Sequence, residues 1–476
     1  MSNKKYSLSF IFWGILFSII ICAILLILKI DYFLIIIMFI YYLLLLVCLI
    51  DISTNVFFLT FLVSFFIFLI SGDLFEELFQ KFYYIRFDDD AKTHSYVCII
   101  ISLIFLFLGY NFQKKKKAEL LHINLPDSFT ASIRQSSSIV FYLTIGILLF
   151  DTVNKVFFVS AHGYVAYYTS YRAILPLVVR KLGDFAPVSL CVFLATFPSK
   201  KKSLPIIILY IIYAFVGLLV GQRGHFVYNT VFLLGYGFYR NRNYSDGEIW
   251  ITKRMIMLLI TAVPFLLVFF QIYGDIRLGN KIVYKSFLDS LISFFINIGS
   301  SSKVIKYGYV YKDQLTEFRF YSLGSLINYF KYGRIFNLFA LSEIPATHSA
   351  KFAIEGHSFD SIISFLSMRN QFLNGEGAGS SFIAELYADF GYIGVAFGSF
   401  LYGLIFKSIS YLAKKDWKIT SIKLYMMLNM IKTPRGSFDS FLAVIVNINF
   451  ISLILVIYLI ANSIERSKRI EYKVLR

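Results

Sequence analysis

The residues best suited to chemistry gather at one junction. The run Asn374-Gly375-Glu376-Gly377-Ala378-Gly379-Ser380-Ser381 leads straight into Phe382-Ile383-Ala384-Glu385-Leu386-Tyr387-Ala388-Asp389-Phe390-Gly391. Glycines let a backbone turn tightly or approach a ligand closely. Ser380 or Ser381 can cap the helix that follows, and free N–H groups at a helix start favour an anion. The run lacks the Lys-Ser/Thr ending of a nucleotide-binding loop. Glu385 and Asp389 are four apart and so share one helix face. Carboxylates one turn inside a membrane-crossing helix must face the bundle or a wet cavity. They read as a general base, Glu385 first, or as ligands for a hydroxyl group, with Gly377, Ser380 and Asp389 among the contacts. The alternative is a buried salt bridge from Glu385 to an arginine such as Arg223.

Arginine is the second chemical signal. Arg172, Arg180, Arg223, Arg277, Arg319, Arg334, Arg369 and Arg435 all fall in or beside segments assigned below to the outer face. A guanidinium presents a planar fork of donors suited to phosphate. Arg223 stands out because Gly221-Gln222-Arg223-Gly224-His225 separates two apolar runs with almost no loop. Arg277 in Gly274-Asp275-Ile276-Arg277 and Arg435 in Thr433-Pro434-Arg435-Gly436 join it as candidates for one outer-leaflet anion site. Pairing with loop carboxylates or lipid headgroups is the structural alternative for each. His357 is a second candidate base near neutral pH, with His348 nearby. Asp88-Asp89-Asp90 with His94 could ligate Mg or Mn, but a solvated acidic loop explains them as well, and no metal site is expected.

These residues must be held by membrane helices. The chain is 58% hydrophobic over 476 residues with a mean hydropathy of +0.71, far beyond what a soluble core needs. About twelve apolar runs meet the spanning length of near 20 residues: 8–29, 32–50, 54–71, 93–111, 138–159, 185–198, 203–220, 225–240, 255–272, 381–407, 419–434 and 438–462. Every Lys/Arg cluster, from Lys4-Lys5 through Lys114–Lys117, Lys200–Lys202 and Arg240-Arg242 to Lys414-Lys415 and Arg466-Lys468-Arg469, follows an even number of crossings. The net charge of +18 therefore reads as topogenic, with both termini cytoplasmic, and not as a nucleic-acid signal. The chain divides into 1–272 (nine spans), 273–380 (a large outer loop) and 381–476 (three spans and a tail). Cys22, Cys48, Cys98 and Cys191 lie in apolar runs and read as buried hydrophobes. No tandem repeat or inverted pair of broken helices is visible, which weighs against transport.

The segment from Gly375 to Gly394, continuing to Gly403, closely resembles the signature of the O-antigen polysaccharide polymerase (Wzy) family. Gly221-Gln222-Arg223-Gly224 and Asn297-Ile298-Gly299-Ser300-Ser301-Ser302-Lys303-Val304-Ile305 are similar too, as is a large outer loop before the tenth span. The resemblance implies an all-α, GT-C-like polytopic protein of the bacterial cytoplasmic (inner) membrane that works without metal or other cofactor. It implies glycosyl transfer on the extracytoplasmic face. A glycan on undecaprenyl pyrophosphate would be the donor, a single repeat unit on the same lipid the acceptor, and O-antigen or capsule the product. A chain-length regulator is a possible partner. Arg223, Arg277 and Arg435, with Arg369 and Arg172, would hold the pyrophosphate. Loop aromatics such as Tyr307, Tyr309, Tyr321 and Tyr329 could stack on sugars. Two other functions stay open: an O-antigen ligase-like transferase, and a flippase, which would show charges near the bilayer midplane across several helices.

Overall fold

The structure is a computed structural model and describes residues 2–80, 87–112, 128–221, 223–242, 248–277, 286–315, 319–332, 345–412 and 416–474. Among these residues all regular structure is helical. Each of the twelve expected spans meets a helix, but eight helices are long and apolar enough to cross a membrane. The shortfall has visible causes. Ser2–Ile27 contributes an apolar stretch of only Ile11–Ile27. Phe185–Ala195 and Trp417–Met430 have 11 and 14 residues. Arg223–Arg242 carries Arg223, His225, Asn229, Arg240 and Arg242. The chain is thus an all-helical polytopic membrane protein.

Two compact units divide the chain: residues 1–116, 284–410 and 430–440 form the first, and 117–283, 411–429 and 441–476 the second. In the second, Ile133, Val140, Val188, Val192, Trp417, Phe450, Leu453, Ile457 and Ala461 build an apolar core between helices Ser128–His162, Phe185–Ala195, Trp417–Met430 and Ile448–Val474. Arg240, expected as a topogenic charge, is instead a buried brace. Its guanidinium donates to the Pro198 carbonyl at 2.8 Å and the Tyr236 hydroxyl at 3.0 Å, and lies 4.5 Å from the Trp250 ring.

The first unit holds a departure from the expected topology. Segment Phe382–Ile409 is not one spanning helix. Gly391 has φ +61° and ψ −153°, a conformation open almost only to glycine. The Phe382 and Tyr402 rings stack at 5.0 Å, although residues so spaced in a straight helix are about 30 Å apart. A Cβ on Gly394 would lie 2.4 Å from the Leu386 carbonyl oxygen, and one on Gly398 equally close to the Leu386 side chain. The chain therefore reverses at Gly391. Residues 382–390 form a half-helix about 13 Å long, folded back against 392–409, which alone can cross. The expectation of one spanning helix over 381–407 fails here, and Gly394 and Gly398 serve this fold-back.

Backbone contact fixes helix 392–409 against Asp89–Phe112. A Cβ on Gly403 would meet the Leu106 carbonyl oxygen at 2.4 Å, and one on Gly109 the Phe400 carbonyl oxygen at 2.1 Å. An aromatic core of Phe61, Phe65, Phe382, Tyr402 and Phe406 fills the space below the half-helix, with ring pairs 4.5–6.4 Å apart. Each such pair contributes about 0.5–1.5 kcal/mol beyond area burial. At the end of the unit that carries Gly391, polar contacts tie the connecting segments together. Asp31 N–H donates to Glu77 at 2.9 Å, Lys306 pairs with Asp73, and Gly299 packs backbone-to-backbone on Gly72.

Candidate active site

The glycine-rich run is held from below by its own chain. Helix Phe359–Ser367 starts with Asp360, whose Oδ1 accepts from Gly379 N–H at 3.0 Å, while Ser364 Oγ accepts from Ala378 N–H at 2.9 Å. A Cβ on Gly377 would sit 3.3 Å from both Asp360 Oδ1 and Ser364 Oγ, so the cradle leaves little room there. Gly375 and Gly379 adopt φ +95° and +82°. The N–H groups of Gly375 and Glu376 donate to Phe372 and Gln371 carbonyls. These four loop amides are engaged internally; the helix start that follows, where free N–H groups are expected to favour an anion, has no side-chain cap hydrogen bond from Ser381.

The two carboxylates do separate jobs. Glu385 is 1% exposed. Its Oε1 accepts from Ser380 Oγ at 2.6 Å and its Oε2 from Phe438 N–H at 2.8 Å. It thereby ties the half-helix to the loop 431–439, and among the described residues it has no salt-bridge partner. The buried salt bridge weighed from sequence is absent there, and each oxygen accepts one hydrogen bond. Asp389 accepts from Tyr321 N–H, Ser322 N–H and Ser322 Oγ at 2.8, 2.7 and 2.6 Å, holding the large loop's 319–323 stretch to the half-helix end. Ser381 occupies the N-cap position of the half-helix, but its Oγ is buried with no partner.

Opposite the glycine run lies a second non-helical stretch. Helix Trp417–Met430 ends early, and 431–439 form a turn and a short 3-10 segment, Thr433–Arg435. Tyr402 fixes this loop, its hydroxyl donating to the Phe438 carbonyl at 2.6 Å and its ring stacking on Phe438 at 4.9 Å. Arg435 is exposed. Its Nε would lie 3.7 Å from a Cβ on Gly379, and its guanidinium stands 6.0 Å from the Phe68 ring. Phe68 sits in a π-helical turn, Phe66–Ile70. Lys432 is half-buried one turn earlier. Neither cation has a carboxylate or backbone acceptor for its charged group among the described residues. Sequence reading missed Lys432 and Asp439 because both fell inside expected apolar spans; the Pro434-Arg435-Gly436 interruption was the available signal. Non-helical backbone within a helical membrane bundle is tolerated where protein buries it or where it lines a wet cavity.

Around this core, His357 packs on Gly324, its backbone N–H donates to Asn328 Oδ1 at 3.0 Å, and its ring Nδ1 is unpartnered. Burial, then the Lys331 and Arg319 charges, holds its imidazole below the ordinary pKa, so it is neutral near pH 7. Arg369 is exposed with its guanidinium 4.9 Å from the Phe365 ring, and Arg319 donates to the Gly356 carbonyl at 2.8 Å. His94 turns inward, against Tyr309, Tyr387 and Tyr392 at 4.6, 4.2 and 5.5 Å, and does not join the acidic run. Among the described residues, no cluster of three or more His, Cys, Asp or Glu could hold a metal. Arg334 lies outside the described residues.

The other arginine candidates belong to the second unit. Arg223 begins helix Arg223–Arg242 and donates to the Phe270 carbonyl, its guanidinium lying over Gly274, where a Cβ would be 2.6 Å from Nη1. Arg277 ends that neighbouring helix, Lys253–Arg277; its side chain lies outside those described. Arg172 is exposed. A cavity of about 230 Å³ in this unit is lined by Lys181, Asp184, Tyr213, Tyr425, Asn447 and Asn449 among others.

The family model described as O-antigen polysaccharide polymerase Wzy covers residues 9–468. No curated protein and no solved structure matches.

Proposed function

Because the chain belongs to the O-antigen polysaccharide polymerase Wzy family, we propose that it joins undecaprenyl-pyrophosphate-linked oligosaccharide repeat units into a surface polysaccharide, O-antigen or capsule, on the extracytoplasmic face of the bacterial inner membrane. A hydroxyl of the acceptor repeat unit attacks the anomeric carbon of the donor glycan. The new glycosidic C–O bond forms as the bond to the lipid diphosphate breaks, and the hydroxyl proton passes to a base. The observation that carries this reading is Arg435, a guanidinium with no anionic partner among the described residues, standing over the glycine-rich loop. Diphosphate leaves well only when its growing charge is stabilised, and preorganised cations in a low-dielectric site supply several kcal/mol of that. Lys432, on the same loop, adds a second cation. Arg223 and Arg277, at adjoining ends of two helices, are the second unit's own candidates for a phosphate contact.

The half-helix supports the reading in another way. It is anchored at both ends by carboxylates, Glu385 and Asp389, so the loop before it keeps its shape while substrate is exchanged. The test is purified protein in lipid nanodiscs supplied with a lipid-pyrophosphate-linked repeat unit. A ladder of polymer on lipid is expected. A single unchanged species would overturn polymerisation and favour transport.

A further inference from the structure

Within the proposed polymerase reaction, on which this inference rests, the acceptor hydroxyl must lose its proton to a positioned base, and a carboxylate with a free oxygen is one group able to take it. Hydrogen bonding around the site narrows the choice. Glu385 accepts through both oxygens, from Ser380 and Phe438. Asp389 accepts through both, from Tyr321 and Ser322. Asp360 accepts from Gly379 N–H and Ser364 Oγ through Oδ1 alone; its Oδ2 is free, but the residue is half-buried and its work is to hold the glycine loop.

Asp439 differs. It lies four residues after Arg435 on the same non-helical loop and is fully buried. Its Oδ2 accepts from Leu326 N–H at 2.8 Å and Ser325 stands close on the same helix start, while its Oδ1 has no partner of hydrogen-bond geometry. Two further buried oxygens have no partner: Ser440 Oγ, on the next residue, and Ser381 Oγ, at the start of the half-helix that Glu385 ties to Phe438. Ser381 lies one turn before Glu385, whose Oε2 holds Phe438, the residue preceding Asp439. Buried polar atoms are nearly always paired in folded proteins. Three orphans at the meeting of two loops, two hydroxyls and a carboxylate oxygen, are a set that a hydroxyl-rich ligand would complete.

The geometry points to Asp439 as the base that takes the proton of the acceptor sugar's hydroxyl, with Ser381 and Ser440 as polar walls of that acceptor subsite. The proton moves to Asp439 Oδ1 as the acceptor oxygen bonds to the anomeric carbon, and the electron pair of the breaking bond leaves with the lipid diphosphate beside Arg435. Helix Gly324–Tyr332 covers Asp439 through Leu326, so acceptor entry requires that helix to lift.

Asp439→Asn keeps an oxygen for Leu326 N–H but cannot take the proton. In nanodiscs supplied with lipid-diphosphate-linked repeat units extracted from the host's own membranes, the variant should polymerise about 10²–10⁴-fold more slowly. Its thermal midpoint and its binding of the repeat unit should stay at wild-type values, and the acid limb of the pH–rate profile should vanish. A rate within about threefold of wild type overturns the assignment, that margin being far below the loss expected of a missing base. So does a loss matched by equal losses of binding and thermal stability, as a simple helix cap would give. A wild type that builds no ladder would instead remove the polymerase reading, and this assignment with it.

Discussion

Lys306 and Arg435 are cations of the same unit, each set near aromatic rings, and their surroundings are opposite. Lys306 is buried, with Nζ 2.8 and 2.9 Å from the two oxygens of Asp73, which also accepts from Ser302 Oγ at 3.2 Å. Phe87 and Tyr96 flank it at 5.7 and 5.8 Å. Arg435 is exposed, 6.0 Å from Phe68, without a carboxylate for its guanidinium among the described residues. The chain answers the first charge completely and leaves the second open. A saturated buried pair specifies how the 299–306 stretch docks on the end of the 52–79 helical run. An unanswered cation beside a glycine loop is suited to an anion that arrives with substrate.

Breaking the saturated side should have the largest effect. Lys306→Met leaves Asp73 as a lone buried carboxylate and should cost about 3–5 kcal/mol, read as loss of folded protein from the membrane. The double variant Lys306→Met with Asp73→Leu should recover most of that stability. If the single variant accumulates normally, the pair is not what docks the loop.

Glu385 sharpens the contrast, since it lies next to the open side yet is itself saturated. Glu385→Ala strands Phe438 N–H and should lower stability by about 1–3 kcal/mol. Glu385→Gln can still accept from Phe438 and meet Ser380, so both thermal midpoint and polymer rate should remain near wild type. A stable but inactive Gln variant would return Glu385 to the chemistry.

Gly391→Ala meets no neighbour within 4 Å, so its cost is the backbone conformation alone, about 1–3 kcal/mol for a strained φ/ψ. Thermal denaturation in detergent checks it. The smallest effect is expected from His357. Its pKa is lowered in the fold, so below the ordinary imidazole range the unfolded chain takes up a proton that the folded chain resists. Stability should fall as pH drops through that range, and His357→Gln should remove that part of the slope in a pH series of thermal midpoints.

Much of this was legible in the sequence and some of it could not be. Each of the twelve apolar runs met a helix because hydropathy and length are read directly from sequence, but among the described residues only eight helices are long and apolar enough to cross a membrane. The reversal at Gly391 was hidden because both arms of the fold-back are apolar, so 381–407 reads as one run whichever way it folds. Ser380 and Glu385 were singled out, but their bond to each other and to Phe438 depends on a loop more than 50 residues away. Lys432 and Asp439 went unremarked because the expected helices were drawn through them, whereas Pro434 and Gly436 end the helix early. Arg240 read as a topogenic charge because nothing in sequence separates a flanking cation from one folded against Trp250.

The central claim is that Arg435 faces the leaving diphosphate. Its most direct test is the single-turnover rate of Arg435→Ala against wild type in nanodiscs, at matched amounts of folded protein, with the lipid-pyrophosphate-linked repeat unit. The account predicts a loss of about 10²–10³ with an unchanged thermal midpoint. A polymer ladder growing at the wild-type rate would contradict it.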